Sequence, residues 1–352
     1  MTGLICDLFS GGGGASLGIS LALGRPVDVA INHSPEAIAM HARNHPTTLH
    51  LQDDVWNVDM HRDIPSGPVE LAWLSPSCTS HSRVRGSKPK DDQSRALPWV
   101  AVSMAKARKP RILAMENVCE WQHWGPLDEE GHALPGTKGD TFRQFVWRLE
   151  TLGYVVEWRT LRACDYGAPT SRQRLFLVAR RDGLPIVWPA PTHGPGLLPF
   201  RAALECLDFS LPCPNVEGQG LSAPVKARVV EGLRRYVTEG DPVMRDGAAW
   251  FGVVRGFGER VGQAPRTWDL RRPLGTVVAG SVKHALARVY DGQIGMRMLT
   301  PRELARAQGF PDSYLIPDHT GDAVMRLGNS VSPPLAAALV AANVPRKKER
   351  AA

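Results

Sequence analysis

Between residues 3 and 181 one pattern repeats: a short apolar run, a turn of small or polar residues, then a longer segment with helical spacing. GLICDLF (3–9), VDVAIN (27–32), VELAWLS (69–75) and RILAMENV (111–118) are nearly continuous in apolar residues. Strands covered on both faces of a sheet have that texture. Between them lie GASLGISLALG (14–24), PEAIAMHARNH (35–45) and a segment over 94–108, each with the spacing of a helix. TFRQFVWRLETLGY (141–154) adds an amphipathic helix, and VVEWRTLRA (155–163) and RLFLVARR (174–181) add two further strands. Alternation of this kind predicts an α/β fold, a doubly wound and mostly parallel sheet with ligands at the carboxyl ends of its strands.

From about residue 189 the texture changes. PAPTHGPGLLP (189–199), SLPCPNVEGQGLSAP (210–224) and GFGERVGQAP (256–265) are rich in proline and glycine, which predicts a smaller, irregular domain dominated by loops. Helical order returns at MRMLTPRELARAQG (296–309), where Thr300 and Glu303 have capping-box spacing. PPLAAALVAANV (333–344) reads as a last helix that packs back on the sheet.

Charge bears on the partner. With 42 Lys and Arg against 35 Asp and Glu the chain carries +7, which suits a polyanion. The basic residues gather in 83–111, near 180, in 226–235 and in a tail over 346–352. No apolar run reaches the roughly 20 residues of a membrane span. The first residues lack the basic start of a signal peptide. The six cysteines show no close pairing, which favours a reducing, cytoplasmic setting and no metal site.

Several positions carry chemistry. DLFSGGGGASLG (7–18) follows the first strand and opens a helix, so its glycines let backbone N–H groups approach a ligand at a helix N-terminus. A tight turn without a ligand needs the same glycines. Phe9 suits a flat ring, and Asn32 and Asp54 sit where polar partners of an adenosine belong. Asn32 is not an acid, which argues against a nicotinamide dinucleotide.

Cys78 follows the strand that ends at Leu74, among Ser77, Thr79, Ser80 and Ser82, with Arg83, Arg85, Lys88 and Lys90 beyond it. A buried structural thiol is the ordinary alternative. Poor core formers and nearby arginines favour a thiolate nucleophile instead. Glu116 ends another strand and can serve as a general acid beside that thiol. Arg172 and Arg174 stand two residues apart, on one face of a strand.

In combination these stretches resemble the DNA (cytosine-5)-methyltransferase family, a resemblance running through nearly the whole chain in the family's order. DLFSGGGG matches its cofactor turn, SPSCTSHS its cysteine loop, MENV its glutamate motif and DYGAPTSRQRLFLV its arginine motif. RRPLGTVVAG matches the threonine-bearing segment, with Thr276; RMLTPRELARAQGFPDSY and GNSVSPPLAAAL match the C-terminal motifs. The resemblance implies a Rossmann-like S-adenosylmethionine-dependent fold. A catalytic domain would span 1–189 and 285–345, with a target-recognition domain over 190–284.

It implies Cys78 as nucleophile, Glu116 as acid, and Arg174 with Arg172 holding the cytosine. Phe9, Gly11, Gly13, Asn32, Asp54 and Asn329 would line the S-adenosyl-L-methionine pocket. Arg83, Arg85, Lys88 and Thr276 would meet double-stranded DNA, bound by a monomer that works beside a restriction endonuclease in a bacterial or phage setting. A tRNA cytosine methyltransferase and a non-catalytic DNA-binding relative share the motifs and stay open. The chain departs from the family pattern at Ser77 and Thr79, where proline and glutamine flank the cysteine. It departs again at Thr170, where glutamine opens the arginine motif, and at Asn32, where an acid grips the ribose.

Overall fold

The structure, a computed structural model, describes residues 3–76, 95–254 and 266–345. The chain divides into two compact units. One comprises Met1–Arg162, Gln173–Ala190 and Ser330–Ala352; the other comprises Ala163–Arg172 and Pro191–Asn329.

The first unit is built on seven strands: β1 (Leu4–Leu8), β2 (Val29–Ile31), β3 (Leu49–Leu51), β4 (Val69–Leu74), β5 (Ile112–Asn117), β6 (Val155–Arg162) and β7 (Gln173–Arg180). Their order is β3-β2-β1-β4-β5-β7-β6. Neighbours from β3 to β5 are parallel, and β7 runs antiparallel to both β5 and β6. The order therefore reverses between β1 and β4, and a doubly wound sheet opens its ligand crevice at that switch point.

Helices α1 (Gly14–Leu23), α2 (Pro35–Asn44), α3 (Val100–Arg108) and α4 (Asp140–Thr151) belong to this unit. Pro35 opens α2 at a position where its missing N–H costs nothing, and Ser34 Oγ caps Ala37 N. In α4 the apolar stripe Phe142, Phe145, Val146 and Leu149 is buried, while Trp147 on the opposite side is exposed. The core joins that stripe to Leu8, Ile31, Leu74, Met115 and Leu177 from the sheet.

The second unit holds more regular structure than its composition predicts. β8 (Val243–Arg245), β9 (Ala248–Val254), β10 (Thr267–Trp268), β11 (His284–Tyr290) and β12 (Gln293–Met298) form an antiparallel sheet in which α5 (Ala223–Leu233) covers Phe251, Val253, Ala285 and Ala287. The helices α6 (Pro301–Gln308) and α7 (Thr320–Asn329) complete it. Thr300 and Glu303 form the expected capping box at the start of α6.

The sequence reading returns the chain to the catalytic domain at residue 285, but the unit containing the parallel sheet regains it only at Ser330. The cause is pairing: β11 lies between β9 and β12, which holds 284–298 in the second sheet. The basic tail over 346–352 lies outside the described residues.

α8 (Pro333–Asn343) then packs on the first unit. Its contact with α1 depends on Gly18, where an added Cβ would stand 2.6 Å from both Ala336 Cβ and the Pro333 carbonyl oxygen. Gly18→Ala must push two helices apart, and overpacking of this kind costs about 1–3 kcal/mol. Urea unfolding should show a lower midpoint at an unchanged slope. A wild-type midpoint would mean that the helices separate freely.

Candidate active site at the switch point

β1 runs directly into the glycine turn. Phe9 takes φ 65°, Gly11 φ 52° and Gly13 φ 84°. A phenylalanine in the left-handed region is strained by about 1 kcal/mol or more and persists only where its surroundings fix it. Ser10 N donates to the Ile31 carbonyl at 3.0 Å and Gly13 N to the Ser10 carbonyl at 2.9 Å, which pins the turn across β2. Gly13 is the N-cap of α1 and has no side chain with which to cap it. The helix therefore presents its N-terminal end to the turn, where the helix dipole and backbone N–H groups favour a polar ligand. Side chains crowd Gly12 from behind: an added Cβ would come within 3.2 Å of Met40 and of Ser330 Oγ.

Asn32 follows β2, and its Oδ1 accepts from Ser34 N at 2.9 Å. An acid at that position would offer a second carboxylate oxygen to a ribose, whereas Asn32 has an amide N–H to offer. Asp54 lies exposed beyond β3, with Oδ1 accepting from Trp56 N at 3.1 Å. Asn329 ends α7 in the second unit and is exposed, with its amide directed at Met325 Sδ. The turn and Asn32 thus offer the backbone and amide donors that an adenosine-bearing cofactor uses. No large side chain replaces the glycines.

The next group forms at the ends of β4, β5 and β7. Ser75 N donates to the Leu8 carbonyl at 3.2 Å, beside the glycine turn, and Leu74 is in register with Met115. The chain leaves β4 between the turn and Glu116. The antiparallel register Glu116↔Phe176 and Asn117↔Leu175 brings β7 alongside, and Arg174 Nε lies 3.2 Å from Glu116 Oε1. Glu116 is 6% exposed, so the guanidinium offsets a charge that burial would otherwise make costly. Asn117 Oδ1 accepts from Val118 N at 2.8 Å, and its Nδ2 is buried without an acceptor among the described residues.

Arg172 goes elsewhere. It precedes β7, is 4% exposed, and its Nη1 donates to the carbonyls of Val277 at 3.1 Å and Gly328 at 3.0 Å. The sequence reading sets both arginines on one face of a strand; in the structure one pairs with the carboxyl and the other braces backbone in the second unit. Thr170 works beside Arg172, with Oγ1 donating to the Leu274 carbonyl at 3.0 Å. Leu274 N donates back to the Pro169 carbonyl at 2.9 Å. These bonds fix the segment that carries Thr276, which is half-buried. Sequence reasoning treats Thr170 only as a departure from a pattern, whereas its short hydroxyl is a clamp.

Cys78, Arg83, Arg85 and Lys88 lie outside the described residues, as do Ser77 and Thr79. Description stops at Pro76, two residues before the thiol.

Comparison with known proteins gives the family and the fold. The C-5 cytosine-specific DNA methylase family matches residues 4–195 and 262–344. Type II methyltransferase M.AquIA of Picosynechococcus is 27% identical over 244 residues, 64% of this chain and 96% of its own. Type II methyltransferase M1.HphI of Haemophilus parahaemolyticus is 25% identical over 352 residues, 96% of this chain and 85% of its own. Among solved structures, a mutant form of Spodoptera frugiperda DNMT2 superposes with a TM-score of 0.64 at 15% identity, covering 96% of this chain and 98% of that one. A candidate DNA modification methyltransferase encoded within an E. coli prophage gives 0.62 at 20% identity, with 97% and 98% covered. The two structures share the fold. With the family match spanning most of the sequence, the chain belongs to the C-5 cytosine-specific DNA methylase family and is a DNA cytosine-5 methyltransferase.

Proposed function

We propose that this chain methylates C5 of cytosine within one double-stranded DNA sequence, through a covalent bond between Cys78 and C6 of a base flipped out of the duplex. The observation that carries the reading is the Glu116–Arg174 pair on β5 and β7, with β4 alone between β5 and the strand that runs into the glycine turn. Cytosine C5 is a poor nucleophile, and adding a thiolate at C6 turns the ring into an enamine that can attack carbon. That addition leaves negative charge on the ring unless N3 gains a proton, and Glu116, which must first take a proton from solvent despite its pairing with Arg174, is the group to supply it. Arg174 holds that carboxyl in place. S-adenosylmethionine, which Phe9, Gly11, Gly13, Asn32 and Asp54 would hold, would supply an electrophilic methyl group. Solvent water then takes the C5 proton as the C6–S bond breaks and Cys78 leaves as thiolate, which restores aromaticity, and N3 returns its proton to Glu116.

A stacked base cannot present C6 to a side chain, so extrusion is a requirement of the chemistry. Arg83, Arg85 and Lys88 follow the thiol and would meet phosphates around the flipped nucleotide. Sequence choice would fall to the second unit, where Thr276 stands on the segment fixed by Thr170 and Arg172. M.AquIA and M1.HphI are Type II methyltransferases, which supports a DNA substrate and a companion restriction endonuclease for this chain. It would act as a monomer in the cytoplasm. Among the described residues no helix is long and apolar enough to cross a membrane.

Labelled methyl transfer to duplex DNA and to tRNA, followed by bisulfite sequencing of the modified DNA, tests this directly. The expected result is 5-methylcytosine in duplex DNA at one recurring sequence. Label confined to tRNA would overturn it.

A further inference from the structure

The glycine turn rests on polar side chains, Asp7, Ser16, His41 and His45, to which the sequence reading gives no individual role. Ser16, in the first turn of α1, donates to Asp7 Oδ2 at 2.6 Å, and its oxygen lies 2.9 Å from His41 Nε2. His41 Nδ1 lies 2.8 Å from His50 Nε2, so three contacts run from inside β1 to the half-buried edge strand β3. His41 lies against His45 with ring centroids 4.5 Å apart and planes tilted by 38°, and hydrogen bonding with the Gly13 backbone works against the burial that lowers the pKa of the His45 ring. Asp7, Ser16 and His41 have no exposed surface, and His45 is 6% exposed.

Burial pushes His41 down to about 2 and His45 to about 4, so both rings are neutral at ordinary pH. A neutral imidazole has one donor and one acceptor nitrogen. With Asp7 ionised, Ser16 donates to it, Ser16 Oγ accepts from His41 Nε2–H and His41 Nδ1 accepts from His50 Nε2–H; with Asp7 protonated every donor and acceptor in the chain exchanges roles, and all three contacts are kept. The chain fixes the plane of His41, and that plane fixes His45 against Gly13. Asp7, at its inner end, has a buried Oδ1 with no donor among the described residues, and burial raises its carboxyl to about 7. An apolar filling would avoid these costs, so the arrangement has a purpose beyond packing.

We infer that Ser16, His41 and His45 are positioning residues for the cofactor, locking Gly13 and the first turn of α1 in the geometry that binds it. This rests on the reading of the glycine turn as the S-adenosylmethionine site. The residues act through the turn and have no part in proton or methyl transfer. Their loss should therefore move cofactor affinity and leave turnover alone.

The test compares wild type with His45→Ala, His45→Gln and Ser16→Ala, measuring the Kd of S-adenosylhomocysteine by calorimetry and the KM for S-adenosylmethionine against kcat. Loss of one backbone hydrogen bond should raise Kd and KM about tenfold in His45→Ala, with kcat at saturating cofactor unchanged. His45→Gln, which keeps a donor, should recover most of the affinity. Ser16→Ala combined with His45→Ala should lose less than the product of the two, because both act on one turn. A wild-type Kd in a folded His45→Ala protein overturns the inference, as does a fall in kcat that matches the change in KM. Amide hydrogen exchange over residues 9–17 gives a readout without cofactor and should quicken in His45→Ala. If wild type binds no S-adenosylhomocysteine, the cofactor reading fails by itself; faster exchange in the variant then still supports the brace, and unchanged exchange overturns it.

Discussion

Cys78→Ala is expected to remove methyl transfer while leaving affinity for duplex DNA unchanged. A methyl side chain forms no bond to C6, so the ring keeps its aromatic electrons and C5 stays unreactive toward the cofactor. Losing the nucleophile of a covalent mechanism costs on the order of 10⁴-fold or more, with no compensation from the rest of the site. Under the proposed function duplex binding would rest on separate groups, the arginines and lysines expected to meet phosphate. Two measurements on one preparation check this: tritiated methyl transfer to a cognate duplex, and equilibrium binding of that duplex. A third uses 5-fluorocytosine in the target strand, where fluorine cannot leave C5 as a proton does. Wild type should then remain covalently attached through denaturing electrophoresis, and Cys78→Ala should not. Methyl transfer at the wild-type rate in the variant would end the mechanism, whatever the binding result.

The strands of the first unit are legible because each buried run is bounded by a turn and followed by a helical period. Leu4–Leu8, Val69–Leu74 and Ile112–Asn117 all fall inside their expected segments. Strand direction is less legible. That β7 runs against β5 depends on the short connection over 163–172, and apolar content says nothing about polarity. The second sheet escapes notice for another reason. β9 is buried along nearly its whole length and so lacks the alternation of a half-exposed strand, and Gly252 within it looks like a breaker. In fact an added Cβ at Gly252 would strike the Trp268 ring at 2.1 Å, so the glycine makes room for a neighbouring side chain. Glu116 and Arg174 are each visible as strand-end charges, but they lie far apart in sequence and only the β5–β7 register makes them partners. His41 and His45 show helical spacing within HARNHPTTLH, a signal open to inspection. Their partners Asp7 and Ser16 come from another βα unit, and nothing local joins the two.

The second large effect separates two roles of the same carboxyl. Glu116→Gln keeps the shape and an acceptor oxygen for Arg174 but has no proton to give to N3. General acid catalysis of this kind contributes about 10²–10⁴-fold, and the loss should appear in formation of the adduct, before methyl transfer. Trapping on 5-fluorocytosine should therefore slow by the same factor as turnover. Arg174→Ala acts differently, because it leaves a carboxylate that is 6% exposed without the cation 3.2 Å away. Breaking a buried pair by removing one member costs about 3–5 kcal/mol, so this variant should lose stability as well as rate. Arg174→Lys should restore part of the stability, since an ammonium is a cation but lacks the planar fork of the guanidinium. Denaturant midpoints set beside trapping rates distinguish the cases: Glu116→Gln should be slow and stable, Arg174→Ala slow and unstable. Were Glu116→Gln to form its adduct at the wild-type rate, the proton at N3 would have to come from another group, and the Glu116–Arg174 pair would be a strut of the sheet.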